Sequence, residues 1–216
     1  MADGAYRRTW GSAARYCRAH HLTGLAIGFV IVTVINVLFG SKVLAIPTFG
    51  SGRPVGMPMR RELPIAYAAM AAGSLHSAMR DAELTACRKF VVWERIHTAV
   101  VCISSVLAVG AVEFVVSGTE SSVVMTRATL VWLGLSLLSG RAFGRQLSWV
   151  LPVMSIFPLT YLQQDSQGHD RWWDWTGQPA GSFACVVISV GALWLGLMAI
   201  AATPWRIASL RKYGSR

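Results

Sequence analysis

Two charged residues inside apolar stretches are the side chains whose type and position could do chemistry. Glu113 lies near the end of the apolar run 96–116, and Arg127 lies near the start of the next run, 123–139. As antiparallel membrane helices, these runs would place both charges about 5 Å below one membrane boundary. A charge in hydrocarbon is costly unless it is paired or reaches the interface. We predict a Glu113–Arg127 ion pair that locks two helices together; separate snorkelling side chains or a proton or substrate relay are the alternatives.

No other part of the sequence carries a catalytic or metal-binding pattern. The chain has no GxSxG, HExxH or GxxxxGK[ST] motif. Its cysteines form no CxxC pair and have no histidine at metal-ligand spacing (Cys17, Cys87, Cys102 and Cys185). We therefore expect no catalytic residue, no enzyme activity, no metal and no cofactor in this chain.

The composition is typical of a membrane protein. Hydrophobic residues make up 54% of the chain and charged residues only 14%, whereas soluble domains average roughly 45–50% and about 25%. The net charge of +10 would suit a nucleic-acid-binding protein only if a soluble fold carried a basic patch and a recognisable motif. The sequence offers neither, so we expect no nucleic-acid partner.

Six apolar runs predict an all-α fold, a polytopic integral membrane protein with six transmembrane helices in a domain over 22–205. The predicted spans are 22–39, 63–79, 96–116, 123–139, 147–162 and 183–202. Between the first two, Gly40 to Glu62 is rich in Gly and Pro and predicts a loop.

The ends of the chain are basic. Residues 1–21 predict an amphipathic helix in the membrane interface, because Tyr6, Trp10 and Cys17 share one helical face away from the arginines. A disordered basic tail that only sets topology is the alternative. Residues 206–216 predict a basic cytoplasmic tail.

The positive-inside rule predicts the orientation. With both termini in the cytoplasm of a bacterial plasma membrane, most of the 20 Lys and Arg residues lie in inner segments. One predicted outer loop is an exception and is basic; it carries Lys42, Arg53, Arg60 and Arg61.

The loop 80–95 is the most highly charged insertion between predicted spans. Leu84, Cys87 and Val91 would form an apolar stripe on a helix, with charges on the other faces. A docking helix for a cytoplasmic partner and a basic loop that only orients the protein are the two interpretations. The candidate partner-binding residues are Arg80, Asp81, Glu83, Arg88, Lys89, Glu94 and Arg95.

A tryptophan cluster precedes the last predicted span. Trp172, Trp173, Asp174 and Trp175 predict an aromatic belt at the outer interface, where indole rings prefer the headgroup level. A short re-entrant or interfacial helix that gates an exit path is the alternative.

This layout resembles the permease subunit of type-2 ABC exporters. The stretches SLHSAMRDAELTACRKFVVWERIH, TRATLVWLGLSLL and RWWDWTGQP are also similar to small permease-like membrane proteins of high-GC actinobacteria. The resemblance implies that the loop 80–95 contacts an ATPase subunit, which supplies ATP and Mg²⁺. It also implies a homodimer, or a heterodimer with a second permease.

Three functions compete at this stage. A permease subunit of an ABC exporter in the lipid bilayer is favoured. A non-transporting membrane protein, such as an immunity or assembly factor, is the second. A membrane-embedded enzyme or a proton-coupled secondary carrier is the third, and it is least favoured because the spans contain so few ionisable residues.

Overall fold

The structure, a computed structural model, describes residues 22–46, 55–74, 88–162 and 171–201. Helices dominate it, and each overlaps one of the six predicted apolar runs. They are α1 (Leu22–Phe39), α2 (Met59–Ser74), α3 (Arg88–Ser117), α4 (Thr119–Ala142), α5 (Val150–Tyr161) and α6 (Phe183–Ala201). A two-stranded hairpin, β1 (Val43–Ile46) and β2 (Val55–Pro58), and a 3-10 turn at Arg145–Leu147 complete the described elements.

Three of the described helical stretches are long and apolar enough to cross a membrane. They are Arg95–Ser117 within α3, all of α4, and α6. Two shorter apolar stretches are Thr23–Phe39 and Val150–Tyr161. The sequence-based prediction of a helical membrane protein is confirmed at this level.

The predicted loop from Gly40 to Glu62 is partly wrong. β1 and β2 pair antiparallel, with Val43 opposite Pro58 and Ile46 opposite Val55. α2 then begins at Met59, four residues before the predicted span. The backbone N–H of Met59 donates to the carbonyl oxygen of Lys42, so the hairpin leads directly into the helix. Arg60, Arg61 and Glu62 therefore lie in the first turn of α2, where a carboxylate also meets the positive end of the helix dipole.

α4 lies at the centre of the bundle and packs against α2, α3 and α6. Trp132 and Leu133 of α4 are fully buried, with Ile65 and Ala68 of α2 and Val101 of α3 in the same core. The helices around α4 expose large apolar side chains instead, among them Ile103, Leu107 and Phe114 on α3 and Val187, Val190 and Trp194 on α6. In a membrane those faces would meet lipid.

α4 and α6 approach closely through small residues. Gly134 lies against the backbone of Ala192 and Leu193, so that a β-carbon at Gly134 would overlap the backbone of α6. Gly196, one turn after Ala192, packs on the backbone of Gly134 in the same way. This small-residue spacing is the arrangement that lets membrane helices pack backbone to backbone.

Several predicted segments lie outside the described residues, among them the interfacial helix 1–21 and the tail 206–216. The same holds for Arg80, Asp81 and Glu83 of the predicted docking loop. The second half of that loop, from Arg88 through Lys89 and Glu94 to Arg95, forms the beginning of α3.

Candidate functional site

Charged residues gather at one end of the bundle. The end of α1, the start of α2, the end of α3 and the start of α4 meet there, together with residues 171–182, which precede α6. We call this region the charged end and residues 171–182 the Trp segment. The ionisable side chains that define the charged end are Arg60, Arg61, Glu62, Glu113, Arg127 and Asp174.

Glu113 is completely buried and connects four helices. One carboxyl oxygen accepts a 2.8 Å hydrogen bond from the amide nitrogen of Asn36 on α1. The other lies 3.6 Å from Nε of Arg60 on α2 and accepts a 3.3 Å hydrogen bond from Ser121 on α4. Arg60 also donates to the hydroxyl of Ser117 at the end of α3. A buried carboxylate is tolerated where a cation and hydrogen-bond donors compensate its lost hydration, and all of these are present here.

Arg127 is 97% buried, and among the described residues its hydrogen-bond acceptors are backbone carbonyl oxygens. Nε and Nη2 donate to the carbonyl oxygen of Trp175 at 3.2 and 3.0 Å. Nη1 donates to the carbonyl oxygen of Pro179 at 3.0 Å, and Nη2 to that of Gln178 at 2.7 Å. Backbone carbonyls of the Trp segment therefore solvate this guanidinium.

The predicted Glu113–Arg127 ion pair is wrong. Both residues lie at the charged end, as their positions predicted, but each has other partners. Arg60 compensates Glu113, and the predicted loop had placed Arg60 outside the bundle. The guanidinium N–H groups of Arg127 donate to three backbone carbonyl oxygens of the Trp segment.

Asp174 organises the Trp segment. It is completely buried, and Oδ1 accepts hydrogen bonds from the backbone N–H of Thr176 at 2.9 Å, the hydroxyl of Thr176 at 2.7 Å and the N–H of Gly177 at 3.0 Å. Oδ2 accepts from Nη2 of Arg61 at 3.2 Å. A β-carbon at Gly177 would overlap this ion pair. Asp174 thus fixes a series of turns and links them to α2.

The three tryptophans of this segment have different environments. Trp172 is 69% exposed, as an interfacial residue would be. Trp173 and Trp175 are half-buried and pack against the main core. The described residues 171–182 form turns rather than a helix. Beneath them, the thiol of Cys185 on α6 lies 3.5 Å from the carbonyl oxygen of Trp172 and 3.7 Å from that of Asp174.

Sequence reasoning missed Glu62. It precedes the predicted second span, and one of its carboxyl oxygens is buried without a hydrogen-bond partner. Burial raises the pKa of Glu62 from 4.5 to about 7; the positive charge of Arg61 opposes this increase and the negative charge of Asp174 adds to it. Two features of the sequence could have indicated this part of the site: the lone Asn36 in an apolar run, and the charged triplet Arg60–Arg61–Glu62 at the start of the second run.

The arrangement offers one acid, Glu62, that can bind and release a proton near neutral pH. Within the part of the chain that the structure describes, no three His, Cys, Asp or Glu side chains are grouped closely enough to hold a metal ion. Glu62, with its pKa near neutrality, can change charge between mildly acidic and mildly basic solution.

Comparisons of the chain with protein-family models, curated proteins and solved structures found no match. The function must therefore be argued from the chain itself.

Proposed function

We propose that the chain is the transmembrane subunit of an ABC-type exporter, energised by a separate ATPase subunit that docks on residues 80–95. The observation that supports this proposal is where the ends of α2 and α3 lie relative to the Trp segment. α2 begins, and α3 ends, at the charged end. The connection between them, which contains the first half of the docking loop (80–87), therefore starts and finishes at the opposite end of the bundle. A partner bound there would act on α2 and α3, the two helices that also carry Arg61 and Glu113.

The proposed topology has six spans, both termini in the cytoplasm and the charged end on the outside. The order of the six helices supports it, as does the distribution of basic residues in the sequence. In this arrangement the Trp segment would close the outer end of the bundle. A conformational change at the docking loop would then be transmitted along α2 and α3 to the Trp segment.

An exporter of this kind is proposed to work as a homodimer or as a heterodimer with a second permease. The exposed apolar faces of α3 and α6 are available for lipid or for the second subunit. ATP and Mg²⁺ would be held by the ATPase, and this chain would contribute the membrane path.

The test is affinity purification of the full-length protein from native membranes in a mild detergent, followed by mass spectrometry and an ATPase assay. We expect stoichiometric recovery of an ATPase with the wild type. The double variant Glu83→Gln, Arg88→Gln should lose the ATPase because it removes two charges of the docking loop. The matched control is Lys42→Gln, Glu120→Gln, which removes one charge of each sign at the charged end and should retain the partner.

Two results would contradict the proposal. One is a homogeneous monomer or homodimer without nucleotide hydrolysis, which would favour the non-transporting immunity or assembly factor. The other is an ATPase that remains bound to the docking-loop variant as firmly as to the control.

A further inference from the structure

The turn between α4 and α5, residues 143–149, exposes large apolar side chains. Phe143 is 55% exposed, Leu147 42% and Trp149 47%. The turn follows the last residue of α4, so it lies at the end of the bundle opposite the charged end. Large apolar side chains gathered on an exposed turn indicate a surface that meets lipid or a partner rather than bulk water.

Hydrogen bonds give this turn a defined backbone. The hydroxyl of Ser139, which is completely buried, donates to the carbonyl oxygen of Leu147 at 2.6 Å and accepts from the N–H of Leu151 at 3.3 Å. Gly144 has a φ of 99°, and its carbonyl oxygen accepts from the N–H of Leu147 at 2.9 Å. The apolar side chains are therefore exposed in a turn that α4 holds in place.

Two arginines lie at the same depth on neighbouring helices beside this turn. α3 and α4 are joined by Gly118 alone and pack against each other in the main core. Arg95 lies 23 residues before Gly118, and Arg141 lies 23 residues after it. A helical rise of 1.5 Å per residue places both about 34 Å from that connection. The hydrocarbon core of a bilayer is roughly 30 Å thick, so both arginines fall at a membrane boundary.

These arginines can reach a ligand outside the chain. Arg95 is exposed and Arg141 is partly exposed. Arg141 also interacts within the chain, but a guanidinium has five N–H donors and can serve more than one acceptor. Positive charge and exposed apolar side chains thus coincide at one depth of the α3–α4 pair.

We propose that Arg95, Arg141 and the α4–α5 turn form a binding surface for anionic phospholipid headgroups. The guanidinium groups donate to phosphate oxygens, and such charge-assisted hydrogen bonds are strong. Phe143, Leu147 and Trp149 occupy the boundary between headgroups and acyl chains, which suits aromatic and apolar side chains beside a cation. A lipid with net negative charge is preferred, because a zwitterionic headgroup carries its own cation next to the phosphate.

The charge and the depth together favour lipid over a soluble acidic partner. A soluble protein would need to reach apolar side chains that already lie at the membrane boundary, whereas lipid headgroups are present there. The proposal requires neither the ATPase nor a particular orientation in the membrane. It can therefore fail or succeed independently of the exporter proposal.

The test measures which lipid surrounds a probe on the turn. Phe143→Cys is made in the full-length protein without its native cysteines and labelled with a nitrobenzoxadiazole fluorophore. The protein is reconstituted into vesicles of equal parts phosphatidylglycerol and phosphatidylcholine. In one set only the phosphatidylglycerol carries a nitroxide quencher near the top of an acyl chain, and in the other only the phosphatidylcholine does. The ratio of the two quenching efficiencies reports local enrichment of the anionic lipid.

We expect spin-labelled phosphatidylglycerol to quench the probe on Phe143→Cys at least about twofold more than spin-labelled phosphatidylcholine. Phe183→Cys is the matched probe, since Phe183 is 80% exposed at the start of α6, at the charged end. Its ratio should lie near one. This comparison keeps all native charges, so it does not depend on the folding of an arginine variant.

The double variant Arg95→Gln, Arg141→Gln should bring the ratio at Phe143→Cys at least halfway towards one. A complete loss is not expected, because Arg145 of the same turn remains. The control is Lys42→Gln, Arg171→Gln, which removes two exposed cations at the charged end and should leave the ratio unchanged.

Four results would overturn the proposal. Equal quenching by the two lipids at Phe143→Cys would show no preference for the anionic one. The same preference at Phe183→Cys would show a general attraction to a basic protein. A ratio unchanged by the arginine variant would exclude Arg95 and Arg141 as its cause. No quenching by either lipid would place the turn outside the bilayer, where a soluble partner could bind it.

Discussion

Arg127 and Trp175 are joined by two hydrogen bonds from one guanidinium to one carbonyl oxygen, although 48 residues separate them in the chain. The link attaches the central helix to the Trp segment through backbone acceptors. Since the acceptors are backbone atoms, the identity of the side chains at 175, 178 and 179 does not determine it.

Replacing Arg127 should therefore detach the Trp segment. Arg127→Met keeps the length and apolar stem but leaves three buried carbonyl oxygens without donors, and we expect the free energy of unfolding to fall by about 3 kcal/mol. Arg127→Lys should lose less, because an ammonium group still supplies donors to some of these oxygens. Thermal unfolding in detergent, monitored by circular dichroism, measures both, and equal stability of Arg127→Met and wild type would contradict the prediction.

The Glu113–Arg60 contact should appear as an energetic coupling. Glu113→Leu leaves Arg60 and the amide of Asn36 without their buried acceptor, and Arg60→Met leaves a buried carboxylate without its cation. We expect each single change to cost on the order of 3 kcal/mol, and the double change to cost clearly less than the sum of the two. Arg127→Met combined with Glu113→Leu serves as the comparison. A larger coupling energy between Glu113 and Arg127 than between Glu113 and Arg60 would contradict this prediction and support the Glu113–Arg127 ion pair.

Gly134 should not tolerate a side chain. Gly134→Val places methyl groups where the backbone of Ala192 lies, so α4 and α6 must separate, and overpacking of this kind costs about 1–3 kcal/mol. Gly191→Val introduces the same residue at a position with open space around it and is the matched control. In thermal unfolding, the melting temperature should fall clearly for Gly134→Val and change little for Gly191→Val.

Stability should depend on pH through Glu62. The folded protein raises the pKa of Glu62 from 4.5 to about 7, so the folded state holds the proton more tightly than the unfolded state does. The associated stability is fully present below about pH 4.5 and is lost as the pH rises through about 7. Comparing melting temperatures of wild type and Glu62→Gln across this window should show the difference shifting in favour of Glu62→Gln as pH rises. A constant difference would contradict the prediction.

The proposed topology predicts which residues meet the same aqueous phase. Lys42→Cys and Trp172→Cys lie at the charged end, and Phe143→Cys lies beyond the opposite end of α4. In a background without the native cysteines, an impermeant thiol reagent should label the first two in intact cells and Phe143→Cys only after the membrane is opened. Labelling of all three from outside would contradict a membrane-crossing α4.

The positions of the helices could be predicted from the sequence because apolar composition determines them. The limits of α1 agree with the predicted first span, and those of α6 agree within one residue. The partners of the charges could not be predicted in the same way. The four prolines at 47, 54, 58 and 64 predicted a loop, although Arg60 and Arg61 already lie on a helix. The acceptors of Arg127 are main-chain carbonyls, which no residue type reveals.

Arg127 also sets a requirement for synthesis of the protein. The carbonyl oxygens that solvate it come from residues 48 to 52 positions later, and the helix that covers Gly134 is later still. A ribosome must therefore deliver α4 to the membrane before its charge has acceptors and before its small-residue face has a neighbour. Until the last helix emerges, Arg127 lacks the carbonyl acceptors of the Trp segment, and Gly134 lacks its packing partner on α6.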